Sequence, residues 1–258
     1  MIQELRVAAA LGRRAIKQAF RRPQFLAPTL IFPTLFLAVN TGGAGRAVDI
    51  PEFPDVNGFL DFQLAGAMLQ STMLAGLSSG IALALDIEGG FIDRLMAAPI
   101  SRWSVVAGRL AGAFAVGMLA VAWFIAIGLI FGAEIGGGVL GVALLLVLAP
   151  LASVAFGGIS SAIALRSGHA SVVQSAFPLV FVILFLSSAF FPRQLLLEPA
   201  GSIADWNPLS FIAEGLRDTI LYDISAEPIA KALAGIGVMA AIGLVFSATA
   251  IRARLRAA

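Results

Sequence analysis

Runs of about twenty residues with almost no charged side chain recur along the 258-residue chain, and about 20 apolar residues is what a helix needs to cross a hydrocarbon layer of roughly 30 Å. In lipid every backbone N–H and C=O must be paired inside the protein, which leaves helices and closed barrels as the only spanning structures. A barrel strand alternates apolar and polar residues over a short segment, whereas these runs are continuously apolar. The expected fold class is therefore all-α, a polytopic membrane protein. Composition agrees: 12% of residues are charged, against roughly 25% in a soluble domain.

Six crossings are expected, at Phe25 to Thr41, Leu64 to Leu85, Trp103 to Phe131, Ile135 to Leu165, Ala170 to Phe191 and Ile229 to Ile251, within one domain over residues 1–258. The first run ends without a small-residue cleavage site, so it reads as a retained span and not a removable signal. Its Pro23, Pro28 and Pro33 predict a kinked or broken helix. Arg and Lys near span ends are kept on the cytoplasmic side. With both termini inside, that side holds Arg6, Arg13, Arg14, Lys17, Arg21, Arg22, Arg94, Arg102, Arg109, Arg166, Arg252, Arg254 and Arg256, and the other keeps Arg46, Arg193, Arg217 and Lys231. The pI of about 9.7 then reflects anchors beside anionic headgroups and not a nucleic-acid surface.

Residues 1–22 predict an amphipathic helix. Arg6, Arg13, Arg14, Lys17 and Arg21 share one arc, with Ile2, Leu5, Ala9, Ile16 and Phe20 opposite. Such a helix lies in the interface as an anchor, and it is also placed to pack on a cytoplasmic partner. Residues 192–228 predict an external helical hairpin, with pieces at Arg193 to Ala204 and Leu209 to Tyr222 joined through Asp205-Trp206-Asn207-Pro208. Leu209, Ile212, Leu216 and Ile220 recur at helical spacing, so the hairpin is expected to dip into the outer leaflet or cap the bundle. Gly76 with Gly80, Gly108 with Gly112 and Gly132 with Gly136 are small-residue pairs that let helices approach closely.

The chemistry that is missing narrows the function. Without cysteine there are no disulfides, thiolate nucleophiles or Cys-bound metals. A phosphate loop needs Gly-Lys before Ser or Thr, and the only lysines, Lys17 and Lys231, follow Ile16 and Ala230. Gly136 to Gly141 fits G-x-G-x-x-G but lies in a turn between spans with no preceding strand. The lone His169 has no second His or Cys to share a metal. No catalytic, cofactor or metal site is expected in the chain. Arg109, Glu134 and Lys231 sit near span ends, where long basic side chains snorkel, so no internal proton relay is expected either. The interior offers milder polarity: Gln70, Ser71, Thr72, Ser78 and Ser79 in the second span, and Gln174, Ser175, Ser187 and Ser188 in the fifth. These residues either satisfy interhelical hydrogen bonds or line a route for an amphipathic substrate.

The stretch EGGFIDRLMAAPIS, Glu88 to Ser101, interrupts this apolar chain with two acids and a base. Read as a helix ended by Pro99, it puts Phe91, Leu95 and Ala98 on one side and Glu88, Asp93 and Arg94 elsewhere, a pattern suited either to docking in a groove of another protein or to lying as a turn on the membrane. With its continuation to Leu110, EGGFIDRLMAAPISRWSVVAGRL resembles the signature of type-2 ABC exporter permeases, and FLSSAFFPRQLL followed by DWNPLSFIAEGLRDTI resembles the same family's fifth helix and external hairpin. The nearest flavour is the daunorubicin-resistance permease group.

The resemblance implies six spans, an N-terminal connecting helix, and a coupling helix at Glu88 to Ala98 within the cytoplasmic loop 86–102. In that scheme Glu88, Phe91, Asp93, Arg94 and Leu95 face an ABC ATPase subunit, Arg6, Arg13, Arg14 and Lys17 rest beside it, and ATP and magnesium stay on that partner. Two permease protomers, identical or homologous, and two ATPase subunits would form an exporter of hydrophobic drugs, lipids or lipid-linked compounds in the bacterial cytoplasmic membrane. Its pathway would be lined by the first, second and fifth spans, with Gln70, Ser71, Thr72, Ser78, Gln174, Ser175, Ser187 and Ser188 as candidates. The rivals are a permease for polysaccharides or lipid-linked glycans, an intramembrane lipid enzyme, and a non-catalytic structural or assembly protein. Trp103, Trp123, Trp206 and Tyr222 are few and peripheral for a glycan channel. A lipid enzyme would need a buried acid, base or metal cluster.

Overall fold

The computed structural model describes residues 2–96 and 102–257, with the backbone alone for residues 2, 3, 5, 93, 96, 102–107 and 250–257. Among the described residues there is no strand. The helices run in chain order as α1 (Ile2–Phe20), α2 (Pro23–Ala44), α3 (Phe59–Glu88), α4 (Phe91–Met96), α5 (Arg102–Ile130), α6 (Gly138–Ser167), α7 (Ala170–Ser175), α8 (Phe177–Phe185), α9 (Ala200–Trp206), α10 (Pro208–Leu221) and α11 (Ala226–Ala257). Five of them, α2, α3, α5, α6 and α11, are long and apolar enough to span a membrane. The protein is a polytopic all-α membrane protein.

Helix α3 is the axis. It packs against α2, α5, α6 and α10 and is buried along nearly its whole length, while α2 and α11 turn most of their surface outward. Outward-facing Ile31, Leu35 and Val39 on α2 and Leu244 and Val245 on α11 suit hydrocarbon and not water.

One expectation is corrected. The fifth predicted span is not one helix: Ala170 to Phe185 is divided at Ala176 into α7 and α8. Pro178, at the start of α8, has no N–H to give the carbonyl of Gln174, so the ladder stops there. At about 1.5 Å per residue, the 16 residues from Ala170 to Phe185 fall short of the roughly 30 Å hydrocarbon layer. Conversely, α2 is continuous through Pro28 and Pro33. Pro33 frees the carbonyl of Thr29, and Ser71 of α3 donates its hydroxyl to that oxygen at 2.5 Å, so the neighbouring helix supplies the missing bond.

The helices approach closely where they lack side chains. A Cβ on Gly76 would stand 2.5 Å from Phe156 Cβ and 2.7 Å from the backbone nitrogen of Gly157, and one on Gly80 would meet Ser160 at 2.5 Å. The hydroxyl of Ser160 donates to the Gly76 carbonyl across this seam at 2.7 Å. Gly108 and Gly112 of α5 likewise receive Leu11 and Ala15 of α1. The third pair does different work: Gly132 has φ +86° in a turn, and Gly136 abuts the Leu221 carbonyl.

In the region expected to form the hairpin, the first piece is a 3-10 turn at Arg193–Leu195 and the short α9, and the second is α10. Leu209, Ile212, Leu216 and Ile220 are fully buried in the main core with Phe124, Leu145 and Phe190, so α10 returns into the bundle.

Gly76→Ala is expected to cost about 1–3 kcal/mol of overpacking, seen as a lower thermal unfolding midpoint in detergent. Gly237→Ala, where no atom lies within 4 Å of the added carbon, should leave the midpoint unchanged or slightly raised.

Candidate coupling site

At the end of the bundle that carries α1 and α4, three helices meet on one carboxylate. Asp86 lies two residues before the C-terminus of α3 and is buried. Arg14 of α1 approaches it with both terminal nitrogens, at 3.1 and 3.2 Å, and Gln18 donates to the same group at 3.4 Å. Arg109 of α5, itself buried, completes the cluster through its Nη2. Close packing of Gly12 and Ala15 against Gly108 and Gly112 brings Arg14 within reach. Arg109 therefore does not snorkel outward as expected, because an acid on the adjacent helix neutralises it in place.

The cluster extends to α4. The guanidinium of Arg14 lies 3.8 Å from the centroid of the Phe91 ring, a cation–π contact. Phe91 packs on a core cluster with Leu83, Ile87 and Val173, and the neighbouring Ile92 is buried. The Phe-Ile pair thus faces the bundle, and the free face of α4 carries exposed Arg94, whose guanidinium donates to the carbonyls of Gly90 at 3.2 Å and Gly89 at 3.4 Å. Leu95 is half-buried, while the side chain of Asp93 and all of residues 97–101 lie outside the described residues.

Glu88 is the last residue of α3. Its Oε1 accepts from the N–H of Ala170, the first residue of α7, at 2.9 Å and lies 3.6 Å from His169 Nδ1. It ties the α4 turn to the broken α7–α8 element. Arg6, Arg13 and Lys17 of α1 are exposed beside this region.

The proposed path residues occupy four separate places. Gln70, Ser71 and Thr72 are fully buried in α3, and Thr72 bonds back to the Leu69 carbonyl at 2.9 Å. Both polar atoms of Gln70 lack a partner among the described residues. Ser78 lines a cleft between α1, α2, α3 and α5. Gln174 and Ser175 are exposed on α7. Ser187 and Ser188 are buried under α10, where Ser188 donates to Glu214 at 2.6 Å. One protomer does not gather the set on a single surface, because α7 and the turn after α8 face opposite ends of the bundle.

At the far end, Arg217 of α10 is buried, donates to the carbonyls of Ser188 at 2.8 Å and Ala189 at 2.7 Å, and lies over the Phe62 ring. Burial lowers its pKa to about 10, against the raising influence of Glu214 and Asp218, so it stays charged at neutral pH. Asn207 caps α10 by accepting from Leu209 N–H and donates to the carbonyls of Ile183 and Leu186, joining α10 to the end of α8. Arg193 bridges Asp205 at 2.8 Å and Glu214 at 3.0 Å.

Asp86 and Gln18 were not foreseen. The available signal was an acid one turn from the end of an otherwise uncharged run, facing Arg14 and Arg109 only once α1 is folded against α5.

The bundle thus has a surface helix, α1, strapped to the break between its second and third long helices. The ABC-2 type transporter family matches residues 7–221, and the chain belongs to that family. It is similar to the candidate transport permease ycf38 of Pyropia yezoensis, with 27% identity over 219 residues covering 84% of this chain and 74% of the other. The Porphyra purpurea protein of the same name is 28% identical over the same shares. A daunorubicin resistance ABC transporter permease protein, DrrB1, of Streptomyces coeruleorubidus is 28% identical over 202 residues, covering 76% of this chain and 68% of its own.

Asp86→Asn should leave Arg109 buried without a counter-charge and lower stability by about 3 kcal/mol, read as the unfolding midpoint of the purified permease. Arg14→Ala, removing a half-exposed partner, should cost about 1 kcal/mol or less.

Proposed function

We propose that this chain is the transmembrane subunit of an ATP-driven exporter, assembled from two permease protomers and two copies of an ABC ATPase subunit. ATP and magnesium belong to the partner, and this chain supplies the pathway and the contact that moves it. The substrate class that fits is a hydrophobic drug, a lipid or a lipid-linked compound. The drug-resistance name of the Streptomyces relative and the sparse charge of the long helices support that class. The setting is a bacterial cytoplasmic membrane with both termini inside, supported by the Arg and Lys distribution.

One observation carries the reading. The short helix α4 is joined through Phe91 and Arg14 to the Asp86 cluster, and through Glu88 to α7. A push on α4 therefore reaches α1, α3, α5 and the broken α7–α8 element together. Packed helices respond to such a push by shifting between discrete arrangements rather than deforming continuously. Arg94, exposed on α4, is placed to meet a partner's acidic side chain.

The test is substrate export and ATP hydrolysis by the co-purified permease and ATPase in proteoliposomes. Arg94→Glu is expected to reduce both about tenfold or more by placing like charges at the contact. Glu88→Ala should leave the ATPase bound while export falls, because it loosens α7 and not the contact. Full activity of Arg94→Glu, or the lack of any ATPase that binds the permease, would remove the basis for the reading.

A further inference from the structure

At the end of the bundle away from α4, a groove of about 590 Å³ opens between the end of α8 and the turn that leads through α9 into α10. Small-molecule sites typically enclose roughly 300–1,000 Å³. Ile183 and Leu186 from the end of α8, with Pro199, Ile203 and Pro208, make the walls apolar, and Glu198, Ser202 and Trp206 complete the lining. The N–H groups of Gly201 and Ile203 reach back to the carbonyls of Leu197 and Pro199, each at 3.2 Å, so the helical spacing of α9 extends to Glu198. Glu198, Ser202 and Trp206 then follow at every fourth position and share one side of the helix. The carboxylate residue and the indole residue stand about 12 Å apart along its axis, and Trp206 is 88% exposed.

The polar groups of the lining select the sign of the ligand's charge. Glu198 forms no ion pair among the described residues: its Oε2 accepts from the Ser202 hydroxyl at 2.7 Å, and the nearby arginine in sequence, Arg193, is engaged by Asp205 and Glu214. The Ser202 hydroxyl is committed to Glu198, and the Asn207 amide to the carbonyls of Ile183 and Leu186. Among the described residues, no lysine or arginine lines the groove. An anion there would face a carboxylate without a compensating cation, whereas an ammonium would gain a charge-assisted hydrogen bond beside apolar walls that strengthen it. The indole supplies a flat apolar face on which an aromatic ring can stack.

We propose that the groove binds a hydrophobic aromatic amine. Its ring system lies along Ile203 against the Trp206 indole, and its ammonium donates to the Glu198 carboxylate. A phospholipid, even one with an amino headgroup, would set its phosphate beside Glu198 with no cation to hold it. The groove includes none of the path candidates. Binding there needs no ATPase, so a failure of the exporter reading would leave the site standing.

The test uses the full-length permease in phosphatidylcholine nanodiscs and two fluorescent probes: 1-aminomethylpyrene, a cation at neutral pH, and its neutral N-acetyl derivative. Probe bound to the protein is measured by ultrafiltration against protein-free nanodiscs. The amine is expected to bind saturably and about tenfold more tightly than the amide, the effect of one charge-assisted hydrogen bond. Glu198→Gln, at an exposed position where the new amide oxygen still accepts from Ser202, should remove that difference. Trp206→Ala should weaken both probes. Asp223→Asn, on an exposed acid outside the groove, should change neither. Equal affinity for the two probes, a difference that survives Glu198→Gln, an equal loss in Asp223→Asn, or displacement of the amine by phosphatidylethanolamine doped into the nanodisc would each overturn the site, the last by assigning the groove to a lipid headgroup.

Discussion

A carbonyl freed inside a lipid-embedded helix has no water to bond, and the answer to that constraint organises this bundle. Pro33 deprives Thr29 of its helical donor, and Ser71 on the axial helix replaces it. The turn after α8 exposes the carbonyls of Ser188 and Ala189, and Arg217 covers both; those of Ile183 and Leu186 go to Asn207. Each repair comes from a different helix, so satisfying the backbone also fixes which helices are neighbours. The close seams at Gly76, Gly80, Gly108 and Gly112 then bring the donors within range.

The charged groups inside the bundle follow the same economy. Asp86 is tolerable in a buried position because Arg14 and Arg109 face it, and Arg109 is tolerable because of Asp86. The cluster lies between α1, α3 and α5 at the level of α4, so the groups that hold this corner together are also those through which movement of α4 would pass. The far end is held by Arg193, Glu214 and Asp205, pairs that are partly open to solvent and contribute less than the enclosed arginine, Arg217.

Much of the fold was legible in the sequence. The long helices lie within a few residues of the apolar runs, the N-terminal amphipathic helix is present, and the Leu209, Ile212, Leu216 and Ile220 stripe marked the buried face of α10. The break at Ala176 was not anticipated, because the stretch from Ala170 to Phe191 is apolar enough to read as one span and Pro178 alone does not show whether neighbours will repair the ladder. Pro28 and Pro33 do not break α2, which runs through both. Of the candidate site, the position of α4 was legible from its charges, while Pro99, read as its end, lies outside the described residues. The inward turn of Phe91 and the engagement of Glu88 with Ala170 were not, because both depend on elements that approach only in the folded bundle.

The sequence by itself determined that this chain lives in a membrane as helices, where those helices lie, and that a short charged segment interrupts them, because hydrophobic length, helical periodicity and charge are local properties. Only the tertiary structure decided that Asp86 joins two arginines from different helices and that the path candidates are dispersed. Those features depend on distances between residues far apart in the chain, set by how closely glycine-lined helices pack and by which backbone groups still need a partner.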